Sequence, residues 1–62
     1  MFTFTHGPWH CWQALQFMVS NENTKLLLAF ATTDDAINYL YMAGEKETSR
    51  ALHRAVKSKG KA

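Results

Sequence analysis

Apolar residues recur with a helical period in residues 33–43, directly after an apolar run. They stand three and four positions apart and define one face: Ala36, Ile37, Leu40 and Tyr41. Thr32 or Thr33 can cap the first turn by accepting a backbone hydrogen bond, and Asp34 and Asp35 place negative charge beside the positive end of the helix dipole. Gly44 suits the left-handed turn that ends a helix. The pattern therefore predicts a helix over residues 33–43.

A second helical pattern follows Gly44 and predicts a helix over residues 46–58. Glu45 and Glu47 come early, whereas Arg54 and Lys57 come late, an order that suits the helix dipole. The inner side is expected to hold five residues: Thr48, Ala51, Leu52, Ala55 and Val56. Residues 58–62 are then expected to form a flexible basic tail.

The apolar run at residues 25–31 has the length of a strand and follows a polar turn at Ser20–Asn23. A strand needs a neighbour, and the nearest candidate is residues 13–19. In this β-hairpin, alternate residues of the two strands share one face. These residues are Leu15, Phe17 and Val19 with Leu26, Leu28 and Phe30. The favoured fold class is accordingly α+β, a small two-layer domain in which a β-hairpin is followed by two helices.

Two other interpretations stay open. Residues 9–19 also fit an amphipathic helix with Pro8 at its first position, in which case residues 2–5 would supply the pairing strand. Alternatively residues 25–31 could be helical, because leucine and alanine are good helix formers. Phe2 and Phe4 alternate with threonines, as in an edge strand or an extended arm. We describe the chain as a single domain with an N-terminal arm at residues 1–8.

Size limits how much apolar surface this chain can bury. It has 62 residues, 47% of them apolar and eight aromatic, and a domain of this length buries only roughly 60% of its unfolded surface. Large side chains beyond the capacity of the core are expected to contact a protein partner or a second copy in a homodimer. The predicted partner-binding residues are Trp9, Trp12, Tyr39 and Met42.

The chain offers few groups for chemistry. His6, His10 and Cys11 lie close together in sequence, but a zinc site needs four donors, usually in spaced pairs. Cys11 could act as a nucleophile only with an assisting histidine and a pocket. We therefore predict no enzyme activity and no catalytic, metal-binding or cofactor-binding residue. With one cysteine, no signal peptide pattern and no bilayer-spanning run, the expected location is the cytoplasm, without membrane contact.

Positive charge is concentrated at the C-terminal end, although the net charge is only +2. Six of the seven basic residues lie in residues 45–62, and no acidic residue follows Glu47. A basic helix and tail can neutralise nucleic-acid phosphates. The residues that would do so are Arg50, Arg54, Lys57, Lys59 and Lys61.

From these observations we expect a small, non-catalytic accessory or regulatory protein that works by binding another protein. Adaptors and inhibitors, including those carried by phages and mobile elements, are often chains of this size. The alternative is a nucleic-acid-binding protein that uses its basic C-terminal helix and tail.

Overall fold

Four strands and two helices make up the fold in the computed structural model, which describes residues 2–60, without the side chains of residues 59 and 60. The elements in chain order are β1 (Thr3–His6), β2 (Trp9–Gln13), β3 (Phe17–Asn21), β4 (Leu26–Phe30), α1 (Thr33–Met42) and α2 (Lys46–Gly60). The strands form one antiparallel sheet in the order β1-β2-β3-β4. The predicted α+β class, with a hairpin before two helices, is confirmed.

The sheet is larger than the predicted hairpin, and the predicted strand at residues 13–19 is wrong in its bounds. The chain bends at residues 14–16, where the Ala14 backbone N–H donates to the Gln16 carbonyl at 2.9 Å. Residues 9–13 and 17–21 are therefore two strands that pair with each other. Leu15, expected on the buried face, lies in this bend and is fully exposed.

The pairing of the last two strands matches the expectation. Phe17 lies opposite Phe30, and Val19 lies opposite Leu28, so these side chains share the face that packs against the helices. The predicted strand at residues 25–31 is shorter by one residue at each end, since β4 spans Leu26–Phe30. Lys25 cannot extend it because its φ is +59°, in the left-handed region.

Both helical interpretations of the N-terminal half are wrong, because residues 9–13, 17–21 and 26–30 are strands. The edge strand considered for the first residues is present as β1, which pairs with β2 from Thr3 opposite Trp12 to His6 opposite Trp9. A turn at Gly7, with φ +59°, joins the two strands. Thus residues 3–6 of the predicted N-terminal arm belong to the sheet, and Met1 lies outside the described residues.

The hydrophobic core lies between one face of the sheet, which we call the inner face, and the two helices. The N-terminal residues and the strands supply Phe2, Trp9, Cys11, Phe17 and Val19. The helices supply Ala36, Leu40 and Leu52. A hydrogen bond of 2.8 Å from the Ser49 hydroxyl to the Ile37 carbonyl joins α2 to α1.

The helix ends follow the predicted capping chemistry. Thr32 Oγ1 accepts from the Asp35 backbone N–H at 3.2 Å, and Gly44 has φ +89°. Helix α2 continues through Gly60, so residues 58–60 of the predicted tail are helical. Residues 61 and 62 lie outside the described part.

The rotation of α1 differs from the expectation. Tyr41, assigned to the apolar face, is 49% exposed, with its ring centroid 5.5 Å from Lys46 Nζ. Tyr39, assigned off that face, instead packs against Phe30 with ring centroids 5.6 Å apart. The buried centre of α1 is Ala36 and Leu40, so contact with β4 decides which tyrosine turns inward.

Candidate functional site

The second face of the sheet, here called the outer face, is left open, because both described helices pack on the inner face. Residues directly opposite on neighbouring strands share a face, so the register defines its members. They form two rows across the strands: Thr3, Trp12, Met18 and Ala29, and then Thr5, His10, Ser20 and Leu27. None of the eight is an acidic residue, a lysine or an arginine.

Trp12 occupies the middle of the outer face. It lies between Thr3 on β1 and Met18 on β3, and its ring is tilted by 34° against His10 with the centroids 5.1 Å apart. His10 Nδ1 lies 3.1 Å from the Thr5 hydroxyl oxygen, and this hydrogen bond holds the imidazole against the sheet. Trp12 is half-buried, so part of the indole surface is accessible to solvent.

The outer face becomes more apolar toward β4. Leu27 is 59% exposed, Ala29 is exposed and Met18 is half-buried. Leu15, in the bend that follows β2, is a further exposed apolar side chain. Solvated faces of antiparallel sheets usually carry polar residues, so an outer face with Trp12, Met18 and Leu27 departs from that pattern.

The four predicted partner-binding residues do not lie on one surface. Trp12 is on the outer face, but Trp9 is on the inner face and only 6% exposed. Tyr39 packs against Phe30, and Met42, 76% exposed, lies at the end of α1 in the helical layer. Met18 and Leu27 are not among the predicted partner-binding residues. The alternation of side chains between the two faces of paired strands β3 and β4 could have placed them on the outer face.

The predicted nucleic-acid residues lie on the opposite side of the molecule. Arg50, Arg54 and Lys57 are exposed along one side of α2. His53 is exposed beside them. Lys59 lies in α2 without a described side chain, and Lys61 lies outside the described residues.

An open pocket of about 430 Å³ lies where the β1–β2 turn, the β3–β4 turn and the start of α2 meet. Its lining includes His6, Trp9, Asn21, Glu45 and Glu47. Asn21 Oδ1 already accepts the backbone N–H groups of Asn23 and Thr24, at 2.9 and 3.1 Å. The amide oxygen therefore stabilises the β3–β4 turn.

The sequence cluster of His6, His10 and Cys11 does not converge. His10 and Cys11 are neighbours in β2 and point to opposite faces, so His10 cannot assist the thiol. Cys11 is fully buried, and this burial raises its pKa to about 11. Within residues 2–60, no group of three or more histidine, cysteine or acidic residues is arranged to hold a metal ion. In the same range, no helix is both long and apolar enough to cross a bilayer.

Comparison with protein-family models, with curated proteins and with solved structures gave no match to this chain. The fold and surface define its class: a two-layer α+β domain with an open face on its sheet.

Proposed function

We propose that this chain is a non-catalytic accessory protein of the cytoplasm, of adaptor or inhibitor type, that binds another protein through the outer face of its sheet. The observation that carries the proposal is the uncovered face that has Trp12, Met18 and Leu27 on it and no acidic residue, lysine or arginine.

The chemistry of the outer face favours a protein surface as its partner. Tryptophan and methionine are enriched in protein interfaces, and charged residues are depleted at interface centres. The hydroxyls of Thr3, Thr5 and Ser20 border the apolar residues, as a polar rim borders an interface core. A face without lysine or arginine has no group to neutralise phosphates, so this surface does not suit nucleic acid.

The test compares Trp12→Ala with Met42→Ala, because both change a large apolar residue but only Trp12 lies on the outer face. Proteins captured from the native cell by the wild type are identified by mass spectrometry, and their affinities for each variant are then measured by calorimetry. Trp12→Ala is expected to weaken binding by about 2 kcal/mol or more, as truncation of a central interface residue does. Met42→Ala is expected to leave affinity unchanged. A partner that binds both variants equally well would contradict the proposal.

A second candidate function, nucleic-acid binding, is supported by α2. Arg50, Arg54 and Lys57 are exposed on one side of it, and the only acidic residue in α2 is Glu47 at its start. This proposal expects binding to generic DNA or RNA that weakens steeply with salt. Fluorescence anisotropy measures the binding constant at several salt concentrations. In the double variant Arg50→Gln and Arg54→Gln, the slope of log binding constant against log salt concentration should decrease by the amount expected for the loss of about two phosphate contacts. An unchanged slope would contradict it.

A further inference from the structure

Strand β4 leaves one edge of the sheet open. It pairs only with β3, and within residues 2–60 no backbone hydrogen bond joins it to any other segment. Backbone N–H and C=O groups therefore point outward along an edge of five residues, roughly 17 Å long.

The sequence of β4 lacks the features that protect an edge from pairing. Soluble proteins usually place lysine, proline or a bulge on an exposed edge strand. All five residues of β4 are apolar: Leu26, Leu27, Leu28, Ala29 and Phe30. The opposite edge is less apolar, because β1 carries Thr3 and Thr5. A helix contacts each edge strand, α2 at β1 and α1 at β4, so helix contact does not distinguish the two edges. The open edge of β4 is therefore the one suited to pairing with another strand.

We propose that β4 pairs antiparallel with β4 of a second copy of this chain, about a two-fold axis at Leu28. The two sheets would then form one sheet of eight strands. On the outer side, this register places the large Leu27 opposite the small Ala29 of the partner copy. On the inner side, it places Leu26 opposite the partner's Phe30. Each copy offers the same matched pairs, as a two-fold interface requires.

Charges at the two ends of β4 favour a second copy in this orientation. Lys25 precedes the strand, and the exposed Asp34 and Asp35 follow it at the start of α1. Antiparallel pairing brings Lys25 of each copy toward the acidic pair of the other, twice in the dimer. Parallel pairing would instead place lysine beside lysine. No charged residue lies between these ends, so no like charges would face each other along the strand.

The inference does not rest on partner binding by the outer face, because strand pairing uses the backbone groups of β4, whereas the outer face is centred on Trp12; Leu27 belongs to both surfaces. Dimerisation would place two outer faces side by side in one continuous sheet. Dimerisation through β4 and partner binding through the outer face can therefore be disproved separately.

Sedimentation velocity over a range of concentrations tests the dimer. The wild type should show a reversible monomer–dimer equilibrium, and Leu27→Lys should remain monomeric because it places a charge on the apolar edge. Trp12→Ala, distant from the edge, should dimerise like the wild type. A wild type that stays monomeric at its highest soluble concentration would overturn the proposal. So would a dimer that is lost in Trp12→Ala, whatever the result for Leu27→Lys, since it would be formed by the outer face.

Charge reversal tests the orientation. Lys25→Glu should weaken the dimer by on the order of tenfold or more, because it places a carboxylate near the acidic pair of the partner copy. Adding Asp34→Lys to Lys25→Glu should restore dimerisation, whereas Asp34→Lys alone should weaken it. Circular dichroism checks that each variant is folded. Weakening by both single changes without restoration in the double variant would contradict the antiparallel register.

A mixed sample of isotope-labelled and unlabelled chains provides the direct geometric readout. Isotope-filtered NMR should show contacts between backbone protons near Leu28 of one copy and those near Leu28 of the other. Intermolecular contacts confined to Trp12 and Met18 would overturn the edge arrangement.

Discussion

The outer face of the sheet and the exposed side of α2 both meet solvent, yet their chemistry is opposite. The outer face carries Trp12, Met18 and Leu27 without a formal charge, whereas α2 exposes Arg50, Arg54 and Lys57. Helix α2 keeps its apolar residues on the buried side, so its exposed side is an ordinary solvated surface. The sheet has apolar residues on both faces, but within the described residues 2–60 a single helical layer covers one of them. Exposure to water explains the polar composition of the exposed side of α2. It does not explain the apolar residues of the outer face.

The outer face differs from an ordinary solvated surface more at β4 than at β1. Strand β1 directs Thr3 and Thr5 outward and Phe4 inward, as expected when only one face is covered. Strand β4 has apolar residues in both directions. The apolar part of the outer face therefore extends from Trp12 to the β4 edge.

The largest expected change in stability comes from replacing a core leucine by alanine, compared with the same replacement on the outer face. Leu40→Ala removes a fully buried side chain and should lower the free energy of unfolding by about 2–5 kcal/mol. Leu27→Ala removes a side chain that is 59% exposed and should change it by less than about 1 kcal/mol. Urea denaturation at low protein concentration measures both values for the monomer. Equal losses would show that Leu27 belongs to the monomer core.

The burial of the inner face of β2 can be tested through the pH dependence of stability. The Cys11 thiol has an ordinary pKa of 9.0, which burial raises to about 11 in the folded protein. Below pH 9.0 the thiol is protonated in both states, so its contribution does not change with pH. Above this value the unfolded chain loses the proton first, so stability falls by about 2 kcal/mol at pH 11 and approaches a total loss of about 3 kcal/mol above it.

Urea denaturation of the wild type and Cys11→Ala between neutral pH and pH 11 isolates this contribution. The wild type should lose stability relative to the variant as pH rises, because only the wild type has the Cys11 thiol. All other titrating groups are common to both proteins, so their effects cancel in the difference. A difference that stays constant over this range would mean that the inner face is accessible to water at Cys11.

The smallest expected change in stability is found by comparing substitutions at adjacent residues on the buried and exposed sides of α2. Ser49→Ala removes the hydrogen bond from the Ser49 hydroxyl to the Ile37 carbonyl and should lower stability by about 1–2 kcal/mol. Arg50→Ala changes an exposed side chain and should alter it by no more than about 0.5 kcal/mol. Thermal unfolding followed by circular dichroism measures both. A larger loss in Arg50→Ala would mean that the basic side has a structural role.

The sequence supported correct predictions where local chemistry decides the structure. Thr32 and Gly44 are end signals that act within a few residues, so both helices could be placed closely. The alternation from Leu26 to Phe30 likewise fixed the face that β4 shares with Phe17 and Val19. In these regions the pattern and the tertiary packing favour the same arrangement.

Other features depend on tertiary structure that the sequence did not reveal. No glycine or proline marks the bend at residues 14–16, so the pattern predicts one strand over residues 13–19, with a helix over residues 9–19 as the alternative. Once Trp9 and Trp12 are known to share a strand, their odd separation places them on opposite faces. The rotation of α1 depends on the contact between Tyr39 and Phe30, which local periodicity does not encode.

Hydroxyl-radical footprinting of the protein in its native assembly tests the central claim most directly, since Met18 and Met42 lie on different surfaces of the same chain. Mass spectrometry would compare oxidation in that assembly with oxidation of the purified monomer. We predict that Trp12 and Met18 become protected while Met42 stays reactive. Protection of Met42 with unchanged oxidation of Trp12 and Met18 would show that the partner binds the helical layer, and would contradict the account.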